Sequence, residues 1–175
     1  TLLHFRRTPG CEIRIDSDFA AVIAACAHSP RGQQSGTWIV PSMQHAYQDL
    51  HASGNAHSVE TWVNGQLVGG LYCVSLGRAV FGESMFARTR DASKIALAAL
   101  VALCRHAGVQ HIDCQQNTSH LASLGAREIA RAQFAQQVHA ASAQEPIDWQ
   151  FSPLYWDALL TPPTSNRTDQ STEAA

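Results

Sequence analysis

The chain has 175 residues, 45% of them hydrophobic, which suits one domain of ordinary size with a real apolar core. A formal net charge of -2 excludes wholesale coating of nucleic acid, so any RNA contact has to be local. No apolar run approaches the ~20 residues of a membrane span and the start, T-L-L-H-F-R-R, lacks a signal-peptide core, so no membrane association and a cytoplasmic location are expected.

The chain opens without Met on a basic segment, and residues upstream of Thr1 are expected. A strand over Glu12 to Ile15 leads to a helix from Asp18 to Ala27, with Asp16 or Ser17 as its cap. A polar loop, His28 to Gly36, follows. Ser42 to Ser53 reads as a second helix that lies against a sheet, with Met43, Ala46, Tyr47 and Leu50 on one face, Pro41 at its start and Gly54 at its stop. His57 to Val63 and Gln66 to Ser75 are strand patterns joined by Asn64-Gly65, the strongest hairpin signal in the chain.

A third strand, Arg78 to Gly82, ends in V-F-G-E-S-M-F at Val80 to Phe86, so that Glu83 and Ser84 stand at an abrupt polar strand end. Ser93 to Ala107 is helical, with Leu97, Leu100, Val101 and Cys104 at helical spacing and Gly108 as the stop. The strand Gln110 to Cys114 ends in Asp113 and Gln115, and the strand, helix, strand order brings the two polar ends side by side. A short helix, Ser119 to Leu124, capped by Ser119 or His120, closes at Gly125. The polar, Pro-bearing stretch 161–175 reads as a disordered tail, leaving one domain over 1–160. The fold class expected is α/β (α+β): a mixed, mostly antiparallel sheet flanked by helices.

Five cysteines, Cys11, Cys26, Cys73, Cys104 and Cys114, are odd in number, widely spaced and contain no C-x-x-C pair, which points to a reducing compartment with neither disulfides nor zinc. His45, His51, His57, His106 and His120 look scattered, and no metal is expected.

Eight strings stand in a fixed order: G-T-W-I at Gly36, A-Y at Ala46, A-H-S-V-E-T-W at Ala56, L-V-G-G at Leu67, F-G-E-S-M-F at Phe81, A-S-K at Ala92, I-D-C-Q at Ile112 and H-L-A-S-L-G-A at His120. In that order the chain resembles the leucyl/phenylalanyl-tRNA protein transferases from about Leu3 to Phe151. The resemblance implies transfer of Leu, Phe or Met from an aminoacyl-tRNA to the α-amine of proteins that begin with Arg or Lys, in the N-degron pathway of protein degradation. It also implies a catalytic half similar to the acetyltransferase superfamily called GNAT, acting as a monomer without a cofactor. Acetyl-CoA enzymes of that fold carry a glycine-rich pyrophosphate loop before the long helix. Here that place reads A-R-T-R-D-A at Ala87 to Ala92, so coenzyme A is not the expected donor.

By the same resemblance Asp113 and Gln115 are the catalytic pair. Alternation along a strand puts both on one side, Asp113 to orient Gln115 or take a proton and Gln115 to hydrogen-bond the attacking amine. Glu83, with Ser84 beside it, is expected to hold the cationic N-terminus of the acceptor. Trp38, Leu71, Met85, Phe86, Leu97, Leu100 and Ile112 match residues that line the donor side-chain pocket or flank the terminal adenosine, although Leu71, Leu97, Leu100 and Ile112 equally suit a plain core. Arg6 and Arg7, with Arg31, Arg88 and Lys94 as further candidates, match a basic segment for tRNA. The family's N-terminal domain has no counterpart in the chain, which keeps open a second reading, a non-catalytic GNAT-like module that binds peptide or RNA.

Overall fold

A computed structural model describes residues 2–29 and 37–160. The expected tail, most of the polar loop and Arg31 lie outside the described residues. The elements are α1 (Leu2–Arg7), β1 (Cys11–Ile15), α2 (Phe19–His28), α3 (Pro41–Ala52), β2 (Ala56–Val63), β3 (Gln66–Leu76), β4 (Ala79–Ala87), α4 (Ala92–His106), β5 (Ile112–Asp113), α5 (Ser119–Ser123), α6 (Arg131–Ser142), a 3-10 turn (Pro153–Trp156) and α7 (Asp157–Leu160). The strands form one sheet in the order β1-β2-β3-β4-β5, antiparallel as far as β4 and then parallel to β5 across the α4 crossover. The mixed, mostly antiparallel sheet flanked by helices is therefore the architecture observed.

Local chemistry sets most element ends. Asn64 and Gly65 both hold positive φ, 50° and 73°, as a two-residue hairpin matched to strand twist requires. Pro41 opens α3, and Gly108 and Gly125 sit at positive φ just past α4 and α5. Two caps differ from expectation. Asp18 caps α2 by accepting the Ala21 N–H, because Asp16 is drawn to the Ser58 N–H at 2.8 Å and the Ser17 hydroxyl donates to Glu60. Thr118, not Ser119 or His120, caps α5. Helix α6 escapes a periodicity reading because Phe134 and Val138 are its only bulky apolar side chains and none of its residues is fully buried.

The sheet divides the interior into two apolar layers. On one face Val59, Leu71, Cys73 and Val80 pack against Ala96, Leu100, Leu103 and Cys104 of α4, with Ile147 and Trp156 of the C-terminal segment completing that layer. On the other, Leu67, Tyr72 and Phe86 meet Phe19, Val22, Ile23 and Cys26 of α2, with Tyr47 and Leu50 of α3 alongside. Gly69 allows the first layer to close: a Cβ there would stand 2.5 Å from the Ala92 Cβ. Glu60, fully buried, ties β2 to the start of α2. Its carboxylate accepts from the Ser17 and Ser58 hydroxyls, the Asp18 N–H and the Trp62 indole N–H, so this charge is satisfied within the framework.

Strand β4 is longer than the expected Arg78 to Gly82. It runs to Ala87, so Glu83 and Ser84 lie inside a strand and not at its end. The pairing steps from Tyr72↔Ser84 to Cys73↔Gly82, which leaves Glu83 as the extra residue of a β-bulge. The bulge resets the alternation. Val80 faces α4 whereas Phe86, of the same parity, faces α2.

Candidate functional site

The site begins where two strands part. Strand β5 pairs with β4 only at Val80↔Ile112 and Phe81↔Asp113, while β4 continues six residues further, to Ala87. Ile112 shares the α4 layer with Val80, so the next residue, Asp113, points to the face that carries α2 and α3. Glu83 projects to that same face, because its Oε2 accepts the Tyr47 hydroxyl of α3 at 2.9 Å. Two half-buried carboxylates thus flank the opening on one side of the sheet. Gly82 lies between them, where a Cβ would stand 3.5 Å from the Asp113 carbonyl oxygen, an ordinary van der Waals contact.

Gln115 is not on a strand. It has φ +61° and is exposed, and its N–H donates to Asp113 Oδ1 at 2.8 Å. The expected alternation of Asp113 and Gln115 is therefore replaced by a side-chain-capped turn: the ladder stops at Asp113, and the carboxylate captures the N–H that the strand no longer uses. The two residues are adjacent through this bond. Cys114 between them is half-buried, and burial, then the Asp113 charge, push its thiol pKa up.

Tyr47, which the sequence places on a helix face and in the A-Y string, gains a part in the site only in the fold. Its ring meets Trp38 edge-to-face at 6.4 Å and Tyr72 at 5.0 Å, while its hydroxyl is held by Glu83. Burial, followed by the hydrogen bond and charge of Glu83, pushes the Tyr47 phenol pKa up. A half-buried tyrosine has to find a partner for its hydroxyl, which is the signal available in sequence; a partner 36 residues away is not. Trp38 itself is 43% exposed at the rim. Ser84 lies opposite Tyr72 on the same face.

The predicted apolar residues separate onto two faces. Leu71, Met85, Leu97, Leu100 and Ile112 gather in the α4 layer, whereas Phe86 is buried on the α2 side. Among the basic residues, Arg7 is exposed on α1, where Arg6 also lies. Arg88 donates to the Leu67 carbonyl at 2.9 Å and Lys94 pairs with Asp91 at 2.9 Å, so both are engaged within the chain. A cavity of about 180 Å³ between α1, the β2–β3 hairpin and the first turn of α4, floored by Phe5, Val68 and Ile95, contains none of the predicted site residues.

The histidines are less scattered than the sequence suggests. His51 and His57 converge on Asp16, and His57 Nδ1 lies 2.7 Å from its Oδ2 while the ring stacks on Trp149 at 4.1 Å. Among the described residues no group of three or more His, Cys, Asp or Glu side chains is placed to hold a metal ion, and no helix is long and apolar enough to cross a membrane.

A sequence model described as leucyl/phenylalanyl-tRNA protein transferase matches residues 1–139. The chain is 65% identical over 158 residues to a leucyl/phenylalanyl-tRNA--protein transferase of Albidiferax ferrireducens, covering 90% of this chain and 62% of that protein. It is 61% identical to the one from a Polaromonas species and 57% identical to one from Burkholderia orbicola, covering 63% and 64% of those proteins and 92% and 93% of this chain. Among solved structures, an aminoglycoside N-acetyltransferase in complex with CoA is similar at a TM-score of 0.44 and 14% identity, over 81% of this chain and 92% of that one. The chain thus spans less than two thirds of the length of the curated relatives it matches. On the family match and these identities, the chain belongs to the leucyl/phenylalanyl-tRNA protein transferase family.

Proposed function

We propose that the chain transfers Leu, Phe or Met from an aminoacyl-tRNA to the α-amine of a protein beginning with Arg or Lys, acting as a monomer in the cytoplasm. The observation that carries this reading is the placement of Glu83 and Asp113 on one face of the sheet where β4 and β5 part, with Trp38 and Tyr47 beside them. The reaction is aminolysis of an ester. The amine nitrogen bonds to the carbonyl carbon, the bond to the ribose 3'-oxygen breaks, the amine gives up one proton and the leaving oxygen takes one. No oxidant or net acid is needed, and an α-amine of pKa about 7.7–8 supplies a useful neutral fraction near pH 7. The protein's work is therefore mostly positioning.

In this reading Glu83 receives the cationic end of the acceptor, and Asp113 orients Gln115 toward the attacking amine. The Asp113 Oδ1 bond to the Gln115 N–H supports orientation as the carboxylate's main task. The donor side chain enters the α4 layer beside Leu71, Met85, Leu97, Leu100 and Ile112, Trp38 bounds the adenosine side, and Arg6 and Arg7 meet tRNA phosphates. The test is transfer of radiolabelled Leu or Phe from charged tRNA to a protein with N-terminal Arg, comparing the chain with Asp113→Ala. Transfer lost in the variant supports the enzyme; no transfer by either, with the tRNA still bound, leaves a binding module.

A further inference from the structure

We propose that Tyr47 is a positioning residue that presents Glu83 to the acceptor amine and links the acceptor and donor sides of the site. This rests on the reading of Glu83 as the acceptor-binding carboxylate. A bulged residue projects from an interrupted ladder and is poorly constrained by its own strand, so a carboxylate at that point needs an outside anchor to keep one orientation. The Tyr47 hydroxyl supplies it, donating to Oε2 at 2.9 Å. With Oε2 engaged, Oε1 is the oxygen left for an incoming ammonium group. The anchor is itself held in place, because the Tyr47 ring is wedged between Trp38 at 6.4 Å and Tyr72 at 5.0 Å, and Tyr72 meets Phe19 of α2 edge-on at 6.0 Å. A shift of Trp38 on donor binding would therefore be felt at Glu83 through one ring.

The phenol is suited to this task. Burial and Glu83 together keep it protonated over the working pH range, so it remains a donor. A pinned carboxylate also loses less rotamer freedom on binding than a free glutamate.

The experiment compares Tyr47→Phe, Glu83→Gln and the double variant with the wild-type chain, reading binding of a short peptide with N-terminal Arg by tryptophan fluorescence and, separately, binding of aminoacyl-tRNA. Tyr47→Phe keeps the ring and is expected to weaken peptide binding by about tenfold, the range of a hydrogen bond to a charged group, with aminoacyl-tRNA binding unchanged. The double variant should be no worse than Glu83→Gln, because Tyr47 acts through Glu83. A general loss of packing would instead weaken both ligands and lower the melting temperature. Equal peptide binding by Tyr47→Phe and wild type, or additive losses in the double variant, overturns the proposal while leaving Glu83 as the acceptor site. Failure of Glu83→Gln to weaken the peptide, or absence of peptide binding by the wild type, overturns both this inference and the acceptor reading beneath it.

Discussion

Asp113 accepts the backbone N–H of Gln115 at 2.8 Å, and Gln115 holds a left-handed backbone at φ +61°. The carboxylate thereby stabilises a conformation that a non-glycine residue adopts at a cost of about 1 kcal/mol. Asp113→Asn retains an acceptor oxygen for this bond and Asp113→Ala does not. Transfer should fall on the order of 100-fold in the alanine variant and clearly less in the asparagine one, measured as single-turnover rates. Equal losses would mean that the charge matters and the turn does not.

Gln115→Gly separates backbone from side chain at the same turn. Glycine relieves the left-handed strain but enlarges the unfolded ensemble, so stability in urea should change by less than about 1 kcal/mol. Transfer should nevertheless drop, since the amide is gone. Unchanged transfer would remove Gln115 from the site.

Met85 and Phe86 are neighbours in sequence but belong to opposite layers. Met85→Ala should raise KM for the aminoacyl donor while leaving KM for the acceptor unchanged, as expected of a residue beside the opening. Phe86, 3% exposed in the α2 layer, should cost about 3–5 kcal/mol of stability on truncation to Ala, read by urea unfolding. A Phe86→Ala chain of normal stability but weak donor binding would place Phe86 in the pocket instead.

Gly69 and Gly82 predict opposite outcomes for the same change. A methyl at Gly69 would meet the Ala92 Cβ at 2.5 Å and backbone carbon at 2.8 Å, so Gly69→Ala should push α4 off the sheet and cost about 1–3 kcal/mol. A methyl at Gly82 meets the Asp113 carbonyl oxygen at 3.5 Å, an ordinary contact, and should be tolerated in stability. Urea midpoints of the two variants make the comparison.

The thiols give a pH signature. Burial pushes Cys104 up to about 12 from an ordinary 9.0. Between those values the unfolded chain binds fewer protons than the folded one, so the contribution of Cys104 is fully present below pH 9 and is lost as pH rises toward 12. The melting temperature should therefore fall above pH 9, and more steeply than in Cys104→Ala. Near neutral pH a thiol reagent should leave Cys26, Cys73 and Cys104 unmodified until unfolding, and Asp113→Asn should speed reaction at half-buried Cys114 by removing the charge that, after burial, raises its pKa.

Local sequence determined what depends on neighbours in the chain. The apolar periodicity of α4, the Asn64-Gly65 hairpin, the stops at Gly54, Gly108 and Gly125 and the polar character of Glu83, Asp113 and Gln115 were all legible, and the ordered strings identified the family. Each follows from spacing, backbone preference or side-chain type, which act over a few residues. Tertiary structure decided what depends on register. The extra residue at Glu83, the end of the ladder at Asp113 and the division of Met85 from Phe86 arise from pairing between strands, where a one-residue slip exchanges the faces. The Tyr47 bond to Glu83 and the meeting of His51 and His57 at Asp16 join residues 35 or more positions apart. Only the folded sheet brings such groups within hydrogen-bonding or ion-pairing reach, and neither partner's local sequence encodes the other.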